Sequence, residues 1–419
     1  MIKPTKSSTL FPRDTIGPIV EQTYFQKGFG LRSEIQPQLQ EMYRSQLVDL
    51  MKANNFRLTV GDLTFLLARE FGFCYGVERA IDYAYETVAK FPGKRIFLTG
   101  EIIHNPHVNE SLQRKGIRFL PPGSNKFDNI SPDDVVIVPA FGVPAADFEL
   151  LTKKGCIVVD TTCGSVLNVW KNVERYANLG VTSIIHGKFE HEETQATFSR
   201  TTLFERARYL VLRDKTEGRY VCGYILSGGS RKEFLDRFHR AASDGFDPDL
   251  HLQRIGLANQ TTMLSSESLE IAEMLRQTMI QRYGDHEIQY RFHSFDTICT
   301  ATQDRQDAIR ELCRENLDLM VVIGGHNSSN TKNLTRIAAA FAPTFHIQDA
   351  SAIVSSDEIR HKPIDSREEV VTHGWFHAGV RSIGLTAGAS TPNVQIGETV
   401  ERILAFRGTI DIPIILGVH

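Results

Sequence analysis

The sequence predicts an α/β protein in which three related units share one centre. From residue 63 onward, short apolar runs of strand length alternate with amphipathic helical stretches, the pattern of parallel sheets flanked by helices. A cysteine precedes a helical stretch in three places, at Cys74, Cys163 and Cys299. Each is followed 28 to 30 residues later by a polar side chain: His104, His191 and Ser328. This repeated spacing indicates three repeats that face a common site.

Composition narrows the classes of function. Of the 419 residues, 41% are hydrophobic, enough for two or three α/β cores. Lys and Arg total 47 against 50 Asp and Glu, and the net charge of −3 gives no overall attraction to nucleic acid or to a membrane surface. No apolar run reaches the roughly 18 residues of a membrane span. The first 20 residues lack the features of a signal or transit peptide, so we expect a cytoplasmic protein rather than one of the plastid stroma.

The predicted elements divide the chain into an N-terminal extension, three α/β units and a tail. A helix is expected over residues 37–53, with Pro37 in its first turn. The clearest strands are residues 135–138, 157–159, 182–185 and 319–323. The boundaries are 1–62 for the extension, 63–155 for the unit of Cys74, 156–290 for the unit of Cys163, 291–400 for the unit of Cys299, and 401–419 for a tail packed on the core.

Three converging thiolates suit a soft metal centre, because thiolate is the preferred ligand of zinc and of iron–sulfur clusters. A structural zinc or an electron-transfer cluster normally has four protein ligands, whereas three leave a position for water or substrate. The alternative is three ordinary buried cysteines, since free cysteine is among the most buried residue types. Cys156, Cys222 and Cys313 lack the surrounding pattern and are expected in the core.

Polar loops behind the predicted strands offer hydrogen-bond donors. Residues 324–330 combine glycines, hydroxyls and a helix start, which makes either a phosphate cradle or an ordinary helix cap. Thr261, Thr262 and Ser390 lie in similar loops. His191 and Glu193 form either a pair that holds an anion and relays a proton, or a solvated turn. The motifs of P-loop nucleotide hydrolases, Rossmann dehydrogenases and serine hydrolases are missing.

Eight ordered motifs between about residues 63 and 393 resemble the 4-hydroxy-3-methylbut-2-enyl diphosphate reductase family. They contain Cys74, His104, Cys163, His191 with Glu193, Thr261 with Thr262, Cys299, residues 327–330 and residues 386–390. Residues 26–30 and their flanks resemble the N-terminal extension of the plant and cyanobacterial branch.

The resemblance implies three α/β domains around a pseudo-threefold axis and one 4Fe-4S cluster. The cluster would have three cysteine ligands, Cys74, Cys163 and Cys299, and its fourth iron would bind the substrate hydroxyl. Glu193 would deliver a proton through Thr261. The residues implied to hold the diphosphate are His104, His191, Thr261, Thr262, Ser328, Ser329, Asn330 and Ser390.

The implied reaction is a reductive dehydroxylation that yields isopentenyl and dimethylallyl diphosphate, the last step of the methylerythritol phosphate route to isoprenoids. It needs a Lewis acid, one-electron delivery and an acid for the leaving oxygen. Ferredoxin or flavodoxin is the implied electron donor, and a monomer or homodimer is expected.

The sequence departs from the family pattern at Phe141, where many members have a histidine that contacts the diphosphate. The plant and cyanobacterial branch also lacks this histidine. Two other interpretations stay open. One is a three-cysteine enzyme of the quinolinate synthase type, which would bind a carboxylate. The other is a non-enzymatic iron–sulfur or zinc protein that acts as a sensor.

Overall fold

The structure is a computed structural model that describes residues 23–123, 125–295, 297–364 and 366–408. Its strands are β1 (Tyr24–Phe25), β2 (Arg57–Val60), β3 (Leu63–Leu67), β4 (Ile96–Leu98), β5 (Arg118–Phe119), β6 (Val135–Val138), β7 (Ile157–Asp160), β8 (Thr182–His186), β9 (Tyr209–Leu212), β10 (Ile255–Asn259), β11 (Phe292–Ser294), β12 (Leu319–Ile323), β13 (Thr344–Ile347), β14 (Glu358–His361), β15 (Val370–His373) and β16 (Ser382–Ala387). Its α-helices are α1 (Arg32–Tyr43), α2 (Gln46–Ala53), α3 (Tyr75–Lys90), α4 (Pro106–Arg114), α5 (Ala145–Lys154), α6 (Gly164–Asn178), α7 (Glu192–Ser199), α8 (Lys215–Ser227), α9 (Arg231–Arg237), α10 (Pro248–His251), α11 (Ser265–Tyr283), α12 (Ile288–Arg291), α13 (Thr300–Leu312), α14 (Ser329–Ala338) and α15 (Asn393–Leu404).

Three sheets organise these elements, and the predicted α/β class with parallel sheets is confirmed. The first sheet has the order β1-β7-β6-β4-β5 and the second β11-β10-β8-β9, with all neighbouring strands parallel. The third has the order β13-β12-β16-β3-β2 and is parallel except for β2, which pairs antiparallel with β3. Strands β14 and β15 form a separate antiparallel hairpin.

The central strands are buried on both faces, as expected for parallel sheets covered by helices. In β6, Val135 and Ile137 belong to one apolar cluster, whereas Val136 and Val138 belong to another. The residues of β12 divide between two clusters in the same way. Because successive side chains of a strand point to opposite faces, such a strand must be apolar at every position. This explains why these strands are continuous apolar runs in the sequence.

The predicted unit boundaries cut across the sheets. Strand β3, which the sequence assigned to the unit 63–155, pairs with β16 in the third sheet. Strand β7, assigned to the unit 156–290, pairs with β6 in the first sheet, and β11, assigned to the unit 291–400, pairs with β10 in the second. Strand pairing depends on contacts distant in sequence, which local periodicity does not contain.

This exchange of strands places each cysteine of the repeat at a crossing between two sheets. Cys74 lies between β3 of the third sheet and α3, which leads to the first sheet. Cys163 lies between β7 of the first sheet and α6, which leads to the second. Cys299 lies between β11 of the second sheet and α13, which leads to the third. The three crossings bring the cysteines to the carboxyl ends of the strands, where ligands bind in open α/β sheets.

The N-terminal extension is part of the fold wherever the structure describes it. Strand β1 adds to the edge of the first sheet beside β7, and α2 packs against α15. The Tyr24 hydroxyl and the Gln26 amide both donate hydrogen bonds to the Asp160 carboxylate, at 2.7 and 3.1 Å. Residues 1–22 of the predicted extension and residues 409–419 of the predicted tail lie outside the described residues.

The predicted helix over residues 37–53 is two helices, α1 and α2, and Pro37 lies inside α1 rather than in the first turn of a helix. The first helix continues through the proline because its buried residues recur every fourth position and pack in the core: Ile35, Leu39 and Tyr43. Tertiary packing therefore outweighs the hydrogen bond that proline cannot donate. Ser45 begins the second helix by accepting a hydrogen bond from the Val48 N–H.

Candidate active site

A central cavity of about 80 Å³ lies among loops that follow strands of all three sheets. Every predicted site residue lines it: Cys74, His104, Cys163, His191, Glu193, Thr261, Thr262, Cys299, Ser328, Ser329, Asn330 and Ser390. The remaining wall is mostly small or apolar and includes Gly76, Ala140, Phe141 and Ala389. The cavity is therefore an apolar chamber with a few converging polar groups, the usual form of a small-molecule site.

Each of the three cysteines is fixed by the same type of backbone hydrogen bond. The Cys163 N–H donates to the Ala140 carbonyl at 3.0 Å, and the Cys74 N–H donates to the Ala389 carbonyl at 3.1 Å. The Cys299 N–H donates to the Thr261 carbonyl at 3.4 Å. The acceptors lie in three small-residue loops, each at the end of a different sheet. This threefold repetition agrees with the internal repeat predicted from the spacing.

The three cysteines also occupy equivalent positions on helices. Cys74, Cys163 and Cys299 are the N-cap residues of α3, α6 and α13. The amino end of a helix carries partial positive charge, which favours a thiolate over a thiol. Burial acts in the opposite direction: it raises the pKa of Cys299 to about 11, and it also raises the pKa of Cys74. A bound metal would overcome this effect, because coordination deprotonates a thiol.

The spacing of the sulfurs suits a centre larger than one ion. The sulfurs of Cys74, Cys163 and Cys299, all in the described part of the chain, do not all lie within 4.8 Å of one another. Thiolates around a single zinc ion would lie roughly 3.8 Å apart, from a Zn–S distance of about 2.3 Å. A Cβ on Gly76 would lie 2.5 Å from the Cys163 sulfur and 4.0 Å from the Cys74 sulfur, so this glycine keeps the space between the two sulfurs clear. The donor set therefore fits a multinuclear iron–sulfur cluster.

Glu193 is a buried carboxyl group beside this cysteine centre. The Thr261 N–H donates to Glu193 Oε1 at 2.6 Å, and the Thr261 hydroxyl lies 3.0 Å from Glu193 Oε2. Burial raises the pKa of Glu193 to about 7, although both hydrogen bonds from Thr261 favour the carboxylate. A carboxyl group with this pKa is suited to general acid catalysis near neutral pH.

A directional hydrogen-bond chain joins the two histidines. The Glu193 N–H donates to His191 Nδ1 at 3.2 Å, so the proton of a neutral His191 is on Nε2. His191 Nε2 lies 3.3 Å from His104 Nε2, and His104 Nδ1 lies 2.9 Å from a Glu101 carboxylate oxygen. His191 therefore donates to His104, which donates to Glu101. Burial, together with the nearby His104 and Lys188, lowers the pKa of His191 to about 3, so it is a neutral donor.

The same chain argues against a single metal ion at the histidines. The ligand atoms of His104, His191 and Glu192 do lie within 4.8 Å of one another. A histidine that binds a metal normally donates its other ring N–H to an oxygen. His191 instead accepts a backbone N–H at Nδ1, so its Nε2 carries a proton and has no lone pair for a metal. Its Nε2–H is donated to His104, so a bound anion would have to take over this hydrogen bond.

Phe141 fixes the two imidazole rings. Its ring stacks on His104 with centroids 4.3 Å apart and meets His191 edge-on at 5.7 Å. The aromatic side chain therefore orients the two donors although it cannot itself hydrogen-bond to an anion. Gly142, the next residue, has φ +77°, and a Cβ there would lie 2.4 Å from Trp170, so this turn requires glycine.

Hydroxyl and amide groups form another part of the cavity wall. Ser328 is the N-cap of α14 and accepts a hydrogen bond from the Thr331 N–H. Asn330 accepts a hydrogen bond from the Ala389 N–H, while its buried Nδ2 has no partner among the described residues. The Ser390 hydroxyl donates to the His104 carbonyl. An unpartnered donor at the amino end of a helix favours a negatively charged ligand.

Lys188 adds a cation behind this wall. Its ammonium group donates to the Ser329 hydroxyl at 3.1 Å, and no carboxylate lies within 4.0 Å of it in the described ranges. Burial, together with the cations Lys332, Arg336 and Arg213, lowers the pKa of Lys188 to about 8. Burying an ammonium group without a counter-charge is energetically unfavourable unless a bound anion supplies the negative charge.

A family model described as LytB protein matches residues 65–404, which is most of the chain. The chain belongs to the LytB protein family. This LytB chain is 47% identical over 391 residues to the 4-hydroxy-3-methylbut-2-enyl diphosphate reductase of Nostoc sp. (strain PCC 7120), and the match covers 93% of the chain and 96% of the relative. The reductase of Thermosynechococcus vestitus is also 47% identical, over 389 residues, with 92% and 95% coverage.

Solved structures agree with the fold of this LytB chain. One is a structure of (E)-4-hydroxy-3-methyl-but-2-enyl diphosphate reductase, described as the terminal enzyme of the non-mevalonate pathway. It matches with a TM-score of 0.51 and 26% identity over 81% of this chain and 99% of its own. The Plasmodium falciparum reductase matches in fold with a TM-score of 0.60 and 21% identity, over 80% of this chain and 86% of its own. In the part of the LytB chain that the structure describes, no helix is long and apolar enough to cross a membrane.

The structure brings all the predicted site residues of this LytB chain into one cavity, while their individual roles stay predictions. The other cysteines belong to the core, as expected: Cys156 and Cys222 are members of apolar clusters, and Cys313 packs against a third. Sequence reasoning missed Lys188 and the packing role of Phe141. The position of Lys188 just after β8 was a usable signal, but a lysine in a charged loop normally indicates a solvated turn.

Proposed function

We propose that this protein is a 4-hydroxy-3-methylbut-2-enyl diphosphate reductase. The substrate gains two electrons and two protons, its allylic carbon–oxygen bond breaks, and the oxygen leaves as water. The products are isopentenyl and dimethylallyl diphosphate. The observation that carries the proposal is a single cavity that combines three thiols, a buried carboxyl group with a pKa of about 7, and several hydrogen-bond donors suited to an anion.

Cys74, Cys163 and Cys299 would hold a 4Fe-4S cluster. When bound, a cluster with three cysteine ligands supplies one-electron transfer and a Lewis-acidic iron with an open position. Ferredoxin or flavodoxin would supply the electrons. Each cysteine is held by a backbone hydrogen bond to a loop and by its position at the start of a helix before the cluster binds, so little reorganisation is needed.

Glu193 supplies the proton for the leaving oxygen. In its neutral form, the carboxyl O–H donates to the Thr261 hydroxyl, which then turns its own hydrogen toward the cavity. The proton therefore moves from Glu193 to the substrate oxygen through Thr261. The Thr261 N–H remains bonded to the other carboxyl oxygen and stabilises the carboxylate that this transfer leaves behind.

The diphosphate group is anchored by the hydroxyl and amide groups of the cavity wall and by the two histidines. Neutral His191 would turn its Nε2–H from His104 to the anion, and the buried Asn330 amide offers a free donor. Lys188 supplies the formal positive charge and reaches the site through Ser329. The remaining donors are His104, Thr261, Thr262, Ser328 and Ser390. Binding the diphosphate away from the reacting carbon orients the allylic end toward the cysteine centre.

The same donors distinguish this proposal from the two alternatives. A carboxylate substrate of the quinolinate synthase type would leave part of this donor wall unpaired, and buried unpaired donors are unfavourable. A sensor protein has no use for a buried acid beside its cluster. The acid and the donor wall therefore favour an enzyme that acts on an allylic diphosphate.

The test is Mössbauer spectroscopy of protein labelled with iron-57 and purified without oxygen. Spectra are recorded alone, with the hydroxylated diphosphate, and with quinolinate. We expect one distinct iron site per cluster that shifts with the diphosphate and not with quinolinate. A cluster without a distinct iron, zinc in its place, or a spectrum unchanged by the diphosphate would overturn the proposal. The Glu193→Gln variant should show the same shift but form product far more slowly than the wild type.

A further inference from the structure

Arg305 is a buried cation that joins the elements carrying two of the three cysteines. It lies on α13, two turns after Cys299, and only 4% of its surface is exposed. Its guanidinium donates to the carbonyl of Gly72 at 2.8 and 3.2 Å and to the carbonyl of Phe73 at 3.2 Å. A further N–H donates to the Ala301 carbonyl at 2.8 Å. The side chain thus connects the Cys299 helix to the loop that immediately precedes Cys74.

The loop before Cys74 is shaped to receive this guanidinium. Gly72 has φ +68°, a conformation that side chains rarely adopt, and a Cβ there would lie 2.9 Å from the Asn393 side chain. This turn allows consecutive carbonyls of the loop to face one group. The planar fork of arginine satisfies several carbonyls at once, which the single ammonium of lysine cannot do with the same geometry.

The charge of Arg305 has no acidic partner. Its acceptors are neutral carbonyls, and within the described ranges no carboxylate lies within 4.0 Å of it. Glu78 of α3 experiences its charge but forms no ion pair with it. A buried and unpaired cation is strongly unfavourable unless a negative group nearby offsets it. The group it adjoins is the cysteine centre, since Phe73 precedes Cys74 directly.

We propose that Arg305 is a positioning and charge-balancing residue of the cysteine centre. It fixes the distance between the Cys74 and Cys299 ligands, and its positive charge offsets the negative charge of a thiolate-ligated cluster. A nearby cation favours the state with one more electron, so Arg305 raises the reduction potential of the cluster. This inference rests on the proposed function only in assuming that a cluster binds.

The experiment measures the midpoint potential of the cluster by a redox titration followed by electron paramagnetic resonance, with iron content as a second readout. The variants are Arg305→Gln, which removes the charge, and Arg305→Lys, which keeps it with fewer hydrogen bonds. The control is Arg310→Gln on the same helix, where the arginine pairs with Asp307. We expect a more negative potential for Arg305→Gln, and potentials close to wild type for Arg305→Lys and Arg310→Gln.

Other outcomes separate the two roles of Arg305. Loss of iron in Arg305→Gln with a cluster at the wild-type potential in Arg305→Lys would show that the charge is required for the cluster to bind, which supports the inference. A wild-type potential in Arg305→Gln, or loss of iron in both variants, would overturn the charge role. A wild-type protein that holds a cluster but lacks reductase activity would overturn the proposed function and leave this inference standing.

Discussion

Thr261 contacts both carboxyl oxygens of Glu193, through its backbone N–H at 2.6 Å and its hydroxyl at 3.0 Å. The pair is buried and lines the cavity beside Cys299. Because the hydroxyl connects the acid to the cavity, replacing the acid should stop proton delivery without disturbing the ligands. We expect Glu193→Gln to lower the turnover rate roughly 10²-fold to 10⁴-fold, the usual contribution of a general acid, with unchanged iron content.

The control for this prediction is Glu190→Gln, at an exposed carboxylate three residues earlier, which should leave the rate unchanged. Thr261→Ser, which retains the hydroxyl, should keep most of the activity that Thr261→Val loses. The assignment of the acid fails if Glu193→Gln turns over at the wild-type rate.

The protonation of Glu193 predicts a pH dependence. Burial raises its pKa to about 7, so the neutral acid predominates below that pH and is lost as the pH rises through it. The single-turnover rate should therefore fall on the alkaline side of about pH 7. Rates measured between pH 6 and 9 in one buffer series would test this. The residual rate of Glu193→Gln should lack this alkaline limb, and a limb that persists in the variant would assign it to another group.

The three N-capping cysteines should differ sharply from the core cysteines. We expect Cys74→Ser, Cys163→Ser and Cys299→Ser each to lose most of their iron and all activity, since each would supply one of the three thiolate ligands of the proposed cluster. Cys313→Ser is the matched control, because Cys313 only packs against an apolar cluster. Iron per protein and the visible absorption spectrum measure the outcome. Full iron content in any of the three ligand variants would remove that cysteine from the ligand set.

Phe141 should contribute to anion binding through the two histidines. The ring stacks on His104 and meets His191, and aromatic contacts of this kind contribute about 0.5–1.5 kcal/mol. Phe141→Ala should therefore weaken binding of the diphosphate substrate about 2-fold to 10-fold, measured by calorimetry on the oxidised holoenzyme. Phe141→His restores an aromatic ring and adds a donor, so it should bind at least as tightly as wild type. Phe341→Ala, at an exposed ring, serves as the control.

The residues of the candidate site could be predicted from the sequence more completely than the pairing of the strands. The number of residues from each cysteine to the following polar side chain is nearly constant, which predicted that the three cysteine loops and the three polar loops share one site. The hydrogen bonds from Cys74 to Ala389 and from Cys163 to Ala140 agree with that repeat. This was possible because residues at the ends of parallel strands reach the same edge of a sheet. Strand composition alone did not indicate that β3 pairs with β16, at the other end of the chain.

The strand pairing across the predicted boundaries and the missed cation have the same physical origin. The pairing of β3 and the contact of Lys188 with Ser329 both depend on residues far away in sequence. A local pattern can show that a strand is apolar or that a loop is charged. It cannot show which strands the strand pairs with, or that the lysine of the loop contacts Ser329 instead of solvent.

Lys188 should be a determinant of diphosphate affinity. Its ammonium reaches Ser329 and lacks an acidic partner within the described residues, so a bound diphosphate would supply the missing negative charge. Hydrogen bonds to charged groups contribute roughly 1.5–3 kcal/mol, so Lys188→Met should raise the Kd for the substrate about 10-fold to 100-fold. Lys188→Arg should lose less, because it keeps the charge. The affinity of the wild type should also fall as the pH rises through about 8, where the ammonium deprotonates.

Calorimetric titration of the oxidised holoenzyme with the substrate between pH 6.5 and 9 would measure both effects. The control is Lys215→Met, at a lysine already paired with Glu270, which should change neither the affinity nor its pH dependence. If Lys188→Met binds as tightly as wild type across this range, the ammonium makes no contact with the anion, and neutral hydrogen-bond donors alone hold the diphosphate.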